Sequence, residues 1–176
     1  MTPLLHPVSD QPPASDQPPA VFDRSPAVPE IHRLAMRETA VIAVDVAPDE
    51  LPDTIGEAIG EVEAAMREAG VALAGPLFVR YLAFGPRIRA EIGFPVLRPA
   101  PHVGRVFPGR LPGGRVASIV HVGSFDGLEQ TYGLMHRWLA ELGLRPSGPI
   151  WEVYWSDPEA EPDPATWRTE IFAPIE

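Results

Sequence analysis

Cysteine is absent from the 176 residues, which removes disulfides, thiolate nucleophiles and thiolate metal sites from consideration. That lack suits a reducing compartment. No apolar run approaches the roughly 18–20 residues a membrane helix needs. The N-terminus has neither the basic start nor the apolar middle of a secretion signal. A soluble, cytoplasmic chain with no membrane contact is the expectation.

Clusters of Lys and Arg are missing as well, and the formal net charge is −10. Such a surface repels phosphate backbones and tolerates cations, so direct nucleic-acid binding is not expected. The histidines His6, His32, His102, His121 and His136 form no HxxxH or HxH spacing. No metal is therefore expected. Neither a glycine-rich phosphate loop nor a GxSxG elbow occurs, so no cofactor and no Ser-His-Asp hydrolase is expected.

What is present divides unevenly. Residues 1–30 hold eight of the 23 prolines, and SDQPPA at 9–14 recurs at 15–20. Such a segment buries too little apolar surface to offset its ordering entropy. The reading is a disordered Pro-rich tail over 1–30 and one folded domain over 31–176.

Sliding that domain against itself reveals a repeat. GPLFVRY at 75–81 matches GPIWEVY at 148–154, an offset of 73. At the same offset Asp53 falls on Asp126, Ile55 on Leu128, Val62 on Met135, Met66 on Leu139 and Gly70 on Gly143. RAEIGFPV at 89–96 resembles RTEIFAPI at 168–175 after a six-residue shift. The halves are thus approximately 31–100 and 101–176.

Each half reads strand-helix-strand-strand. β-branched segments at 39–46 and 115–122 open the halves. Asp53 or Thr54, and then Asp126 with Glu129 three residues on, have the spacing of helix N-caps. Ile55, Ile59, Val62, Met66 and Ala69 recur at helical intervals, as do Leu128, Tyr132, Met135, Leu139 and Leu142. Gly70 and Gly143 supply helix stops. Strands are expected near 77–81, 89–94, 150–155 and 168–172. The fold class is α+β: two tandem modules in pseudo-twofold arrangement, with antiparallel sheets, two main helices and a central cleft.

Such a cleft is a natural ligand site. Alternation along 150–155 puts Ile150, Glu152 and Tyr154 on one face and Trp151, Val153 and Trp155 on the other. Glu152 stands where the first half has the apolar Val79. A carboxylate there is costly unless it gains a partner, so it either attracts a cation or serves as an acid or base. The alternative is a solvent-facing edge residue.

Tyr81 and Tyr154 share the face of Glu152 and can hold a polar or cationic ligand, or simply pack. Phe78 and Trp151 lie on the other face and are expected to form the core under the helices. Trp155 and Trp167 flank the loop 156–165 and either roof a pocket or anchor that loop. Glu91 and Glu170 occur in both halves and fit a fold-level role, such as pairing with Arg89 or Arg168 or bonding backbone amides; the alternative is contact with a ligand. His121, beside Gly123, can orient a turn.

The second half resembles the gyrase-inhibitor-like (GyrI-like) family, also called the bacterial effector-binding domain. The matching stretches are HVGSFDGL at 121–128, Thr131-Tyr132 with Leu134 and Trp138-Leu139, GPIWEVY at 148–154 with SDP at 156–158, and TEIFAP at 169–174. In the first half Gly75-Pro76, Tyr81 and EIGFP at 91–95 also fit. The resemblance spans roughly 32–176.

It implies two modules around a cleft that takes hydrophobic or cationic small molecules, with an acidic residue and aromatic walls doing the recognising. The family's Glu-x-Tyr strand falls on Glu152, with Tyr154, Tyr81, Trp155 and Trp167 as candidate walls. The implied function is sensing or sequestration of a drug-like ligand. One alternative is hydrolysis of reactive electrophiles, with Glu152 as general acid or base. A second is a gyrase-inhibitor-type role with a protein partner such as DNA gyrase. Nothing before residue 31 reads as a helix-turn-helix.

Overall fold

The computed structural model describes residues 28–176. The expected tail over 1–30 lies outside the described residues except for its last three. Eight strands and two helices follow in chain order. They are β1 (Glu30–Leu34), β2 (Arg37–Val46), α1 (Leu51–Glu68), β3 (Phe78–Ala83), β4 (Ile88–Pro95), β5 (Phe107–Leu111), β6 (Gly114–Val122), α2 (Leu128–Glu141), β7 (Trp151–Tyr154) and β8 (Arg168–Pro174).

All eight strands join one antiparallel sheet in the order β1-β6-β8-β7-β3-β4-β2-β5. The sheet curls into a half-barrel, and the α+β class stands as expected. Two strands were not anticipated. β1 and β5 are short and lie at the sheet edges, and their residues, EIHRL and FPGRL, do not alternate apolar with polar even though their burial does.

These edge strands change the architecture. β1 pairs with β6 of the second half, and β5 pairs with β2 of the first. Each half thus lends its leading strand to the other, and instead of two abutting sheets there is one continuous sheet. The lending chains cross where Ala35 and Met36 meet Pro112 and Gly113. A Cβ at Gly113 would stand 2.7 Å from the Met36 amide nitrogen, so only glycine fits the crossing.

The helices begin differently from the expectation. Short 3-10 turns, Pro48–Glu50 and Phe125–Gly127, precede them, and no side chain caps either α-helix at Glu50 or Gly127. Asp126 lies inside its turn instead of at the cap. The turns themselves occupy early donors: Glu50 donates its amide to Ala47 at 3.0 Å and Gly127 to Ser124 at 3.1 Å.

The helix stops hold. Gly70 and Gly143 adopt φ of +63° and +68°. Val71 donates to the Met66 carbonyl at 2.9 Å and Leu144 to the Leu139 carbonyl at 2.8 Å, closing a Schellman motif on each helix.

Both helices pack on one face of the sheet. Ala58, Val62, Ala65 and Met66 of α1 bury against Ala40, Ile42, Val79 and Ile92. Met135 and Leu139 of α2 bury against Ala117, Ile119, Ile171 and Ala173. Phe78 and Trp151 are not part of this layer. They form a third cluster with Phe172, Val41, Leu111 and Val116 on the helix-free face, which corrects the expectation that they underlie the helices. The reason lies in the pleat: Val79 and Glu152 take the helix-side positions, so their neighbours point away.

Candidate functional site

The two halves meet where β3 and β7 pair, with Val79 directly opposite Glu152. The amides of Tyr81 and Tyr154 extend the seam symmetrically, donating to the carbonyls of Ile150 and Leu77 at 2.9 and 3.0 Å. Glu152 therefore sits at the middle of the molecule, pointing to the helix side, and is 3% exposed.

Its carboxylate is met by all three tyrosines of the chain. Tyr81 donates to Oε2 at 2.9 Å, Tyr154 to Oε2 at 2.5 Å, and Tyr132 of α2 to Oε1 at 2.6 Å. Three donors converging on one group suit the carboxylate form, which only accepts. Burial, reinforced by the adjacent negative charge of Glu152, pushes all three phenols well above their ordinary range near 10. They remain neutral O–H donors. Among the described residues no hydrogen-bond partner of Glu152 is cationic.

Aromatic rings surround this cluster. Phe84 stacks on Tyr81 at 4.8 Å, Phe125 meets Tyr154 edge-on at 5.7 Å, and Trp167 lies 4.9 Å from Phe125. Tyr132 stacks on His136 at 6.5 Å. Phe84 and Phe125 are 63% and 40% exposed, so the rim presents rings to solvent.

The sequence-derived candidates do not all converge. Glu152, Tyr81 and Tyr154 come together, and Trp167 joins them through Phe125. Trp155 does not: it faces the opposite side of the sheet, donating its indole N–H to Glu170 at 3.1 Å. Trp167 also anchors the loop expected to lie between the two tryptophans, donating to the Glu161 carbonyl at 2.7 Å. Glu91 pairs with Arg80 at 3.4 Å, a different arginine from the one expected.

Helical spacing alone places Tyr132 in an apolar stripe. A signal for its role was available, because at the offset of 73 it replaces Ile59 just as Glu152 replaces Val79. Two polar tips enter the second half where the first has hydrocarbon, and they meet each other. Phe84, Phe125 and His136 carried no such signal.

His121 braces the turn that leads into α2. Its Nε2 lies 2.8 Å from the Ser124 carbonyl and its Nδ1 lies 2.8 Å from the Thr131 hydroxyl. A carbonyl only accepts, so Nε2 donates to it, and Nδ1 shares a hydrogen bond with the Thr131 hydroxyl. Gly127 lies against the ring, where a Cβ would come within 2.7 Å of Cε1.

A cavity of about 620 Å³ lies on the helix-free face, lined in part by Phe78, Trp151, Trp155 and Phe172; Glu152 does not reach it. The described residues contain no group of His, Cys, Asp or Glu arranged to hold a metal ion.

A family model for the GyrI-like small molecule binding domain matches residues 28–176. The chain belongs to that family. No curated protein matches the sequence. Among solved structures, this GyrI-like domain is similar to the C-terminal domain of EcmrR, with a TM-score of 0.72 and 19% identity over 85% of this chain and 97% of that one. Against EcmrR in its DNA complex the TM-score is 0.75 at 18% identity, covering 85% of this chain and 57% of that one, so this chain spans little more than half of that protein.

A hydrolase from Listeria innocua is similar with a TM-score of 0.61 and 17% identity over 88% of this chain and 95% of that one. SAV2435 bound to tetraphenylphosphonium is similar with a TM-score of 0.55 and 14% identity over 85% and 94%. At these identities the likeness concerns the fold. No described helix is long and apolar enough to cross a membrane.

Proposed function

We propose that this GyrI-like domain binds hydrophobic organic cations, with Glu152 as the charge anchor and Tyr81, Tyr154, Tyr132 and Trp167 as its surroundings. One observation carries the reading: a carboxylate that is 3% exposed holds only neutral phenols. Hydrogen bonds lower the cost of burying the charge but leave its sign uncompensated. A delocalised cation, which sheds its hydration cheaply, fits such a place better than a sodium ion or an ammonium. The exposed rings of Phe84 and Phe125 provide flat surfaces for it to reach first. A net charge of −10 favours its approach.

Calorimetry with a planar organic cation tests the anchor. Glu152→Gln keeps the shape and removes the charge, and the affinity should fall by about 1–3 kcal/mol. Equal affinity in the two proteins overturns the assignment.

Hydrolysis of reactive electrophiles would use the same carboxylate as general acid or base, with the phenols around it as hydrogen-bond donors. Against it, a phenol pushed upward by burial and a neighbouring negative charge is a poor proton donor near neutrality. Product formation across a panel of electrophiles, followed by mass spectrometry, separates catalysis from binding. A role on a protein partner such as DNA gyrase rests on the family resemblance and an acidic surface that permits it, and a supercoiling assay decides it.

A further inference from the structure

The rings around Glu152 come from two places. The sheet supplies Tyr81 and Tyr154, and the segment that leads from β6 into α2 supplies Phe125 and Tyr132. A single buried ring ties that segment down. His121, near the end of β6, donates from Nε2 to the Ser124 carbonyl and shares a hydrogen bond between Nδ1 and the Thr131 hydroxyl, each at 2.8 Å. The residues that follow these two anchors are Phe125 and Tyr132.

The ring is closely fitted. Thr131 is buried, and a Cβ at Gly127 would stand 2.7 Å from His121 Cε1 and 3.3 Å from Nε2. A third tie joins the segment to the neighbouring wall: the Gly123 amide donates to the Trp167 carbonyl at 2.9 Å, and the Trp167 ring lies 4.9 Å from Phe125. The turn into α1 is held differently, by an exposed bond from the Ala47 amide to the Glu50 carboxylate at 2.9 Å.

A hydrocarbon would fill the space under the turn without two nitrogens to satisfy. It could not tie the turn to the helix. The bond at Thr131 sets how α2 is rotated about its own axis. At a radius of roughly 6 Å, a rotation of about 10° moves a side-chain tip by about 1 Å. Stretched that far, the 2.6 Å contact from Tyr132 to Glu152 is no longer a hydrogen bond.

We propose that His121 is a positioning residue of the Glu152 site, holding Phe125 as a fixed wall and Tyr132 within reach of the carboxylate. Its bearing on ligands rests on the cation reading above; its hold on Tyr132 does not.

Thr131→Val keeps the shape and removes the hydroxyl, and Thr131→Ser restores it. In folded Thr131→Val, absorbance at 295 nm should show one tyrosine's worth of phenolate near pH 10. Wild type and Thr131→Ser should show none, and adding Tyr132→Phe to Thr131→Val should abolish the signal. Tetraphenylphosphonium should bind Thr131→Val about fivefold more weakly, because the two rings must then be ordered on binding. Thr131→Ser should recover that loss.

Folded Thr131→Val whose tyrosines stay silent, or a signal that survives Tyr132→Phe, overturns the proposal. So does unchanged tetraphenylphosphonium affinity in a variant that has released Tyr132 while Glu152→Gln weakens it. If Thr131→Val does not fold, Gly127→Ala, which crowds the ring from its other side, is read in the same way. Wild-type protein that ignores tetraphenylphosphonium contradicts the cation reading, and the titration, which needs no ligand, still decides the role of His121.

Discussion

Glu152 and the three tyrosines act as one unit, because each phenol is held neutral by burial and by the carboxylate it serves. The consequence for pH can be worked out. A group whose pKa is raised on folding contributes stability that is intact below its unfolded value and is lost as pH climbs toward the folded one. For Tyr81, Tyr132 and Tyr154 the loss begins near pH 10, where the unfolded chain starts to release phenol protons. Each tyrosine should then cost about 1.4 kcal/mol of stability per pH unit. Absorbance at 295 nm should show no phenolate until the protein unfolds, and all three tyrosines should then ionise together. A gradual titration near pH 10 in folded protein would contradict the buried cluster.

At the scale of elements, legibility followed periodicity. The strands over 39–46 and 115–122 were found, and so were both helices and their glycine stops, because long β-branched or 3.6-periodic segments and αL glycines leave clear marks. The edge strands β1 and β5 left none. Nor did the 3-10 turns, whose backbone bonds took over the capping assigned to Asp53, Thr54 and Asp126. Alternation along β7 correctly separated Glu152 from Trp155 but did not say which face the helices cover. Phe78 and Trp151 were consequently misplaced.

Gly113 could not have been singled out either, since its constraint arises from a chain more than seventy residues away. Gly113→Ala should place a methyl against the Met36 amide and cost about 1–3 kcal/mol in denaturant unfolding. An unchanged midpoint would show that the crossing has room.

For the molecule as a whole, the α+β class with two helices and antiparallel strands is legible in the sequence, yet the similarity at an offset of 73 conceals how the strands are joined. Because β1 belongs to the β6 edge and β5 to the β2 edge, neither half completes its own sheet. A fragment covering 28–104 should therefore remain unfolded alone, and one covering 105–176 likewise. Mixing the two should restore the circular dichroism of the intact domain. Independent folding of either piece would argue that the exchanged strands are dispensable.

The joining also explains the place of the site. The β3–β7 seam is where the halves meet, and there Val79 faces Glu152, hydrocarbon opposite charge. At this seam the halves differ in the side chain that faces the helices, and the single carboxylate is what the proposed cation binding rests on.

Sign is the property to measure. Tetraphenylphosphonium and tetraphenylborate have nearly the same shape and apolar area but opposite charge, so calorimetry of both reports the effect of sign, and the Glu152→Gln variant assigns the part due to Glu152. The account predicts that the phosphonium binds more tightly by at least about tenfold, and that Glu152→Gln narrows the gap. Equal binding of the two ions, or preference for the borate, would contradict it.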